Sequence, residues 1–236
     1  MTLGSEHSCT ASGKPIFRVR AVVFDLDGTL IHTAPDLVRA INLMRVDLGM
    51  PQLSENQVTS WVGNGVAMLV KRALTENWDG EPDAVLFDQG QALFHKHYLN
   101  GVCERSEPYP DVCEALSDIA ARNFRLACVT NKPEAFTRPL LEELELDGFF
   151  EIIVSGDSLT KKKPDPLPLQ HVCQKFGIEA TQAVVVGDSI NDIQAAKAAG
   201  IPIICVNYGY NQGLDLTTFG PDAIIGSFKE LTELLL

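Results

Sequence analysis

Two aspartates follow an apolar run near the start of the chain. Residues 21–24 read Ala-Val-Val-Phe, and Asp25, Leu26, Asp27 and Gly28 come directly after them. An unbroken apolar, β-branched run is typical of a strand buried on both faces, as in a parallel sheet covered by helices. Ligands bind at the carboxyl ends of such strands, and two neighbouring carboxylates repel each other unless a cation compensates them. The pair therefore predicts a site for a divalent cation such as Mg²⁺, which prefers hard oxygen ligands.

Polar side chains follow three further apolar runs that have the composition of strands. They are Thr130, Lys163, and the pair Asp188 and Asp192. In a parallel sheet, the carboxyl ends of all the strands lie at one edge. We therefore expect these groups to converge on the edge that carries Asp25 and Asp27.

The elements that must position these groups alternate between strand and helix in the second half of the chain. The predicted strands are 124–131, 150–155, 183–187, 203–207 and 223–225. The predicted helices are 112–122, 133–146, 167–176 and 191–199. This alternation is typical of βαβ units. The sequence therefore predicts an α/β fold with a doubly wound parallel sheet.

A long stretch without strand patterns separates the first strand from the others. Apolar residues recur there at helical spacing, for example over 34–48, and the Pro-rich segment 108–110 ends the stretch. We therefore expect an inserted helical cap domain over 33–107. The remaining predicted units are a flexible extension over 1–18 and an α/β core domain formed by 19–32 and 108–236.

The composition excludes several classes of protein. The chain has 236 residues, 45% of them hydrophobic, and a formal net charge of −12. It can bury a core, and its acidic balance argues against a nucleic-acid partner. Its runs predict neither a membrane span nor a signal peptide. The six cysteines include no Cys-x-x-Cys pair, which favours free thiols in a reducing cytoplasm.

The motifs together resemble those of the haloacid dehalogenase superfamily in its phosphatase form. The segment 25–30 reads Asp-Leu-Asp-Gly-Thr-Leu, Thr130 ends a strand, Lys163 precedes a proline, and Gly187-Asp188 is followed by Asp192. The motifs occur in the family's order and extend over the whole core. The resemblance implies a Rossmann-like core with a cap, and Mg²⁺-dependent hydrolysis of phosphate monoesters.

This resemblance implies a separate role in the reaction for each of the acidic residues. Asp25 is expected to be the nucleophile that takes the phosphoryl group as an aspartyl-phosphate. Asp27 is expected to protonate the leaving oxygen and then to deprotonate water. Asp25, Asp188 and the backbone carbonyl of Asp27 are expected to hold Mg²⁺. Asp192 is expected to act behind them, by holding waters or Lys163.

Three further groups are expected to bind the phosphoryl oxygens. The Thr130 hydroxyl and the Asn131 amide would donate hydrogen bonds, and Lys163 would neutralise charge. Lys163 is favoured within the triplet 161–163 because it directly precedes Pro164, and Lys162 is the alternative.

A second resemblance concerns the cap. The segment 61–74, with Gly63, Asn64, Gly65 and Arg72, resembles the cap of bacterial phosphoglycolate phosphatases. The glycines open a helix, whose free N–H groups suit a carboxylate, and Arg72 would add a charge-assisted bond. A small metabolite with a phosphate at one end and a carboxylate at the other, such as 2-phosphoglycolate, would satisfy both domains.

Other functions remain open at this point. Another capped phosphatase or a hexose-phosphate phosphomutase would use the same core. A phosphonate hydrolase would need a cap lysine that forms a Schiff base, for which only Lys71 is available. A catalytically inactive binding protein is disfavoured by the intact set of motifs. The oligomeric state, monomer or small homo-oligomer, does not follow from the sequence.

Overall fold

The computed structural model describes residues 15–236 of the chain. Its strands are β1 (Ala21–Phe24), β2 (Ile31–His32), β3 (Glu107–Pro108), β4 (Arg125–Val129), β5 (Ile152–Val154), β6 (Ala183–Gly187), β7 (Ile203–Val206) and β8 (Ala223–Ile225). Its helices are α1 (Ala34–Asp47), α2 (Glu55–Thr59), α3 (Val66–Thr75), α4 (Ala84–Leu99), α5 (Val112–Ala121), α6 (Glu134–Glu143), α7 (Leu167–Phe176), α8 (Ile190–Ala199) and α9 (Phe228–Leu234).

Within the described residues, six strands form one parallel sheet in the order β5-β4-β1-β6-β7-β8. Strand β1 is central, and Phe24 pairs with Cys128 of β4 and with Val186 of β6. The residues that follow these three strands therefore lie level with one another at the carboxyl edge. The predicted α/β class with a doubly wound parallel sheet is confirmed.

Helices cover both faces of the sheet because successive residues of β1 point in opposite directions. Val22 and Phe24 belong to one buried apolar cluster, which includes residues of α5, α6 and α9. Ala21 and Val23 belong to the other, which includes residues of α7 and α8. The sheet that carries Asp25 is thus held from both sides.

We expect Phe228→Ala to lower the free energy of unfolding by about 3–5 kcal/mol, because it leaves a cavity in the core. The Phe228 ring is fully buried and stacks on Phe24, with 6.0 Å between ring centroids. Urea denaturation measures the loss. The matched control is Val85→Ala in α4, where the side chain is 65% exposed, and it should change stability by less than about 0.5 kcal/mol.

Helices α1 to α4 all lie between the short strands β2 and β3. These two strands pair antiparallel, with Ile31 opposite Pro108 and His32 opposite Glu107. The two connections to the helical segment therefore run side by side. We call residues 33–107 the cap and the remainder of the described chain the core.

The predicted flexible extension over 1–18 needs a correction at its end. Phe17 is buried, and its backbone N–H donates to the carbonyl of Leu234 at 2.7 Å. Phe17 therefore packs against the core, because its apolar ring belongs to the buried cluster that includes residues of α9. Residues 1–14 lie outside the described part of the chain. Among residues 15–236, no helix combines the length and apolar character needed to cross a membrane.

Candidate active site

Asp25 and Lys163 form the centre of the site. Asp25 directly follows β1, and Lys163 lies in the loop between β5 and α7. The Lys163 Nζ lies 2.6 Å from Asp25 Oδ1, 2.7 Å from Asp192 Oδ1 and 2.7 Å from the carbonyl oxygen of Val129. Burial raises the pKa of the Asp25 carboxyl to about 7, against the opposing attraction of Lys163. For Lys163, burial would lower the pKa, but the carboxylates of Asp192 and Asp25 outweigh it and raise the pKa.

Asp188 directly follows β6 and is held by two donors. The Thr29 hydroxyl donates to its Oδ1 at 2.8 Å, and the Tyr210 backbone N–H donates to its Oδ2 at 2.5 Å. Burial, together with the charges of Asp25 and Asp192, raises the pKa of Asp188 well above its usual range. The carboxylate is therefore fixed in position close to other negative charges.

Asp192 lies in the first turn of α8 and is fully buried. Its Oδ2 accepts bonds from the N–H and the hydroxyl of Ser189, the residue that caps the helix. Its Oδ1 accepts from Lys163. Asp192 therefore both closes the helix cap and fixes the lysine that contacts Asp25.

The donor set fits a divalent cation. Asp25, Asp188 and Asp192 each place a carboxylate oxygen within 4.8 Å of the others. With Asp27, the part of the site that the structure describes has four carboxylates, and the ammonium groups of Lys132 and Lys163 face them. When all four carboxylates are ionised, their charge exceeds that of the two ammonium groups by two, which a divalent cation would balance. Hard oxygen ligands are those that Mg²⁺ prefers.

Asp27 is paired with a second lysine. The Lys132 Nζ lies 2.8 Å from Asp27 Oδ1 and 2.7 Å from the hydroxyl of Tyr98, a residue of cap helix α4. Burial would lower the pKa of Lys132, but Asp27 and Tyr98 outweigh it and raise the pKa. The second aspartate of the motif is therefore linked to the cap through a buried ammonium group.

Thr130 and Asn131 follow β4 and line the same pocket. The Thr130 hydroxyl oxygen accepts from the Lys132 N–H at 3.1 Å, so its own hydrogen can donate to another group. The Asn131 side chain donates to the carbonyls of Gly63 and Lys163. The Asn131 side-chain amide is thus engaged with the loops around the pocket, which leaves its backbone N–H as the donor to consider for a ligand.

The cap loop before α3 closes over the core edge. Gly63 and Gly65 line the pocket and have φ values of +113° and +86°, which favour glycine. Core side chains donate to the carbonyls of this loop: Asn131 and Asn191 to Gly63, Lys162 to Asn64 and Gln212 to Val62. The Gly-rich loop is therefore hydrogen-bonded to the core through its own backbone.

Arg72 requires a correction, and so does the Asn64 side chain. The Arg72 guanidinium donates to the carbonyls of Trp61 and Trp78 and to Asn64 Oδ1, and it stacks on the Trp78 ring at 3.6 Å. Neither Arg72 nor Asn64 lines the pocket. Arg72 stabilises the cap loop by hydrogen bonds within the cap, because these acceptors lie within reach of its guanidinium there. The guanidinium is therefore engaged inside the cap, and the predicted contact of Arg72 with a substrate carboxylate is not supported.

The family is decided by a comparison with known protein families. The model of the haloacid dehalogenase-like hydrolase family matches residues 22–206, which is most of the chain. This chain belongs to the haloacid dehalogenase-like hydrolase family. The match extends from β1 through β7 and therefore includes the strands that position Asp25, Thr130 and Asp188.

Curated relatives within the family are similar over nearly their whole length. A protein of Nitrosospira multiformis named phosphoglycolate phosphatase is 49% identical, and the alignment covers 92% of this chain and 96% of that protein. A protein of Thiobacillus denitrificans with the same name is 49% identical over 90% of this chain and 93% of that one.

A solved structure gives the same result. A crystal structure described as a predicted phosphoglycolate phosphatase from Haemophilus somnus has a TM-score of 0.87 and 36% identity, covering 92% of this chain and 97% of that one. The predicted resemblance to the family and the prediction of a phosphatase enzyme are confirmed. The substrate class that follows is a small phosphorylated metabolite.

Several residues of this family member escaped the sequence reasoning. The sequence motifs do not single out Lys132, Tyr98, Asn191 or Gln212. Lys132 lies two residues after Thr130, so its proximity to a predicted site residue was the available signal. Tyr98 carried no comparable signal, because only the docking of the cap onto the core brings its hydroxyl to Lys132.

We expect Arg72→Met to destabilise the protein by about 2–4 kcal/mol, because it leaves buried acceptors of charge-assisted bonds unpaired. Denaturation in urea measures the loss. The matched control is Arg138→Met on α6, whose side chain is 54% exposed and pairs only with Glu134 in the described contacts. That exposed pair should contribute less than about 1 kcal/mol. Equal losses in the two variants would contradict the bracing role of Arg72.

Proposed function

We propose that this protein is a Mg²⁺-dependent phosphatase that hydrolyses 2-phosphoglycolate to glycolate and phosphate through an aspartyl-phosphate on Asp25. The observation that carries the proposal is the convergence of Asp25, Lys163 and Asp188 at one sheet edge. Relatives that are about half identical and bear the name phosphoglycolate phosphatase support the substrate.

The reaction uses two carboxylates with different tasks. An Asp25 oxygen attacks phosphorus, the bond to the bridging oxygen breaks, and the carboxyl group of Asp27 delivers a proton to the leaving alkoxide. Water then attacks the same phosphorus, Asp27 takes its proton, and phosphate leaves as the Asp25 carboxylate is restored. Asp27 suits both steps because Lys132 fixes its Oδ1 and leaves Oδ2 for the reacting groups.

Charge on the transferred group is stabilised by fixed donors. Lys163 is already placed at 2.6 Å from Asp25 by Asp192 and the Val129 carbonyl, so it need not reorganise during the reaction. The Thr130 hydroxyl and the Asn131 backbone N–H are the proposed donors to the phosphoryl oxygens.

Asp25, Asp188 and the backbone carbonyl of Asp27 would hold Mg²⁺. When bound, the ion neutralises the surplus negative charge of the site and polarises the phosphoryl group. Asp192 is already engaged with Lys163 and Ser189, so we assign it to positioning Lys163 rather than to the ion.

We propose that the cap acts as a lid. The pocket between the cap loop and the core encloses about 40 Å³, which is room for only a few water molecules, since one water needs about 10–15 Å³. Residues of the cap loop, Gly63 and Gly65, and of the core, Asp25 and Lys163, line this pocket together, so a movement of the cap would widen the entrance for a substrate. The antiparallel pair β2–β3, where both connections run together, is the proposed hinge.

The test is a panel of small phosphate esters, assayed for phosphate release with and without Mg²⁺. The panel should include 2-phosphoglycolate, hexose phosphates and other short phosphorylated acids. We expect the highest kcat/KM for 2-phosphoglycolate and no appreciable release without the ion. Preference for another ester would overturn the substrate. Return of the phosphoryl group to a sugar, rather than its release to water, would indicate a phosphomutase.

We infer a reducing compartment such as the cytoplasm for this activity. Cys128 on β4 and Cys205 on β7 are fully buried free thiols, on strands that β1 and β6 separate, and burial raises the pKa of both thiols. Such thiols serve as small apolar core residues. The absence of a nucleic-acid partner remains a prediction from the sequence.

A further inference from the structure

Lys132 is a buried cation at the pocket that the proposed reaction uses only indirectly. It is 4% exposed and lines the pocket beside Asp27. An ammonium group has three N–H donors. The contacts to Asp27 Oδ1 and to the Tyr98 hydroxyl engage two of them. A third donor therefore remains for a ligand.

In the described part of the chain, the neighbouring cations are engaged elsewhere. The three N–H groups of Lys163 point at Asp25, at a second carboxylate and at a backbone carbonyl. Arg72 is held inside the cap. Lys162 donates to the carbonyl of Asn64 and does not line the pocket. Lys132 is thus the pocket cation with unused hydrogen-bonding capacity.

We propose that Lys132 binds the carboxylate of the substrate and thereby selects short phosphorylated acids, an inference that rests on the proposed function. In 2-phosphoglycolate a single methylene separates the bridging oxygen from the carboxylate. The bridging oxygen must meet Asp27 to receive its proton, and the Lys132 Nζ lies 2.8 Å from Asp27 Oδ1. A group one carbon away from the bridging oxygen therefore comes within reach of the ammonium.

Tyr98 positions this cation from the cap. Its hydroxyl accepts from Lys132 at 2.7 Å, and its ring centroid lies 4.7 Å from the Nζ. The ring itself is fixed against Phe94 and Phe136. The carboxylate subsite therefore has its cation on the core and its support on the cap, so it is complete only when the two pack together.

The experiment compares two substrates of matched size. 2-Phosphoglycolate ends in a carboxylate, and 2-hydroxyethyl phosphate ends in a neutral hydroxyl. In the wild-type enzyme we expect a clear preference for the acid. In Lys132→Met, kcat/KM for the acid should fall about 100-fold, mainly through KM, because a buried charge-assisted contact is lost. Activity on the neutral ester should fall as well, because Lys132 also fixes Asp27 Oδ1, but that loss should be about tenfold smaller than the loss for the acid. Lys132→Arg, which keeps the positive charge, should retain the preference for the acid.

The outcomes separate this inference from the proposed function. Equal losses for both esters in Lys132→Met, with the wild-type preference intact, would overturn the subsite and leave the proposed function standing. A wild-type enzyme without preference for 2-phosphoglycolate would overturn both. Circular dichroism reports whether Lys132→Met folds. If it does not, Lys132→Gln, which retains a donor to Tyr98 and Asp27 without the charge, replaces it in the same comparison.

Discussion

Asp25→Asn is expected to abolish phosphate release, with kcat lowered by about 10⁴-fold or more, as is typical when a nucleophile is removed. An amide cannot form the acyl phosphate that the proposed reaction requires. The protein should remain folded, because the amide oxygen can still accept from Lys163, which lies 2.6 Å from Asp25 Oδ1. The substitution also removes one charge from a buried cluster with surplus negative charge, so we expect no loss of stability.

Two measurements check this expectation. Phosphate release gives the rate, and mass spectrometry of acid-quenched wild-type enzyme should detect one added phosphoryl group that is missing in the variant. The matched control is Asp118→Asn on α5, where the carboxylate is 52% exposed and contacts Arg122. That variant should retain wild-type rates. Activity in Asp25→Asn within tenfold of wild type would contradict the nucleophile.

Removal of Mg²⁺ by a chelator is expected to lower kcat by about 10³-fold, since metal-ion catalysis contributes several kcal/mol. The melting temperature of the protein provides a second measurement, which does not depend on turnover. The ion offsets the surplus charge of the buried carboxylates, so it should bind the folded state and raise Tm. At a hundredfold excess over its Kd, the gain is about 2.7 kcal/mol, or roughly 5–10 °C.

Asp188→Asn tests where the ion binds. The variant can keep the local hydrogen bonds, because its amide oxygen can accept from the Tyr210 N–H while its amide nitrogen donates to a rotated Thr29 hydroxyl. We expect the Mg²⁺-dependent rise in Tm to be lost in this variant and retained in Asp118→Asn. An equal rise in Asp188→Asn and wild type would show that Asp188 is not a ligand.

Most of the fold was predictable because the sheet is parallel and buried. A strand with helices on both faces must be apolar throughout, so the runs at 21–24, 125–129 and 183–187 were visible as strands. Strands β2 and β3 were not visible, because two-residue strands have no periodicity to detect. Helix α9 was also missed; its seven residues are too few to establish a helical repeat.

The residues of the candidate site fall into two groups: those whose proximity follows from the sheet topology, and those whose partners only the structure shows. Asp25, Thr130 and Asp188 directly follow strands whose ends must be adjacent, so their proximity follows from the topology. Lysines in loops are different, because a long side chain can reach several partners. Lys163 contacts Asp25, whereas its neighbour Lys162 points to the cap and donates to the Asn64 carbonyl. Their roles follow from loop geometry rather than from residue type.

The cap shows most clearly what the sequence could not decide. Its helices were predictable from their own apolar spacing, but the direction of each polar side chain depends on how the cap docks onto the core. That docking places Tyr98 on Lys132, and packing within the cap turns Arg72 inward onto the carbonyls of Trp61 and Trp78.

The sequence alone predicted the parallel sheet, the edge that carries the candidate site and the acidic groups on that edge, because strand burial and strand order constrain them locally. Only the tertiary structure decided which cation faces each carboxylate and which faces the pocket. The reason is physical: partners distant along the chain compete for the same flexible ammonium and guanidinium groups, and only their packed positions determine which contact forms.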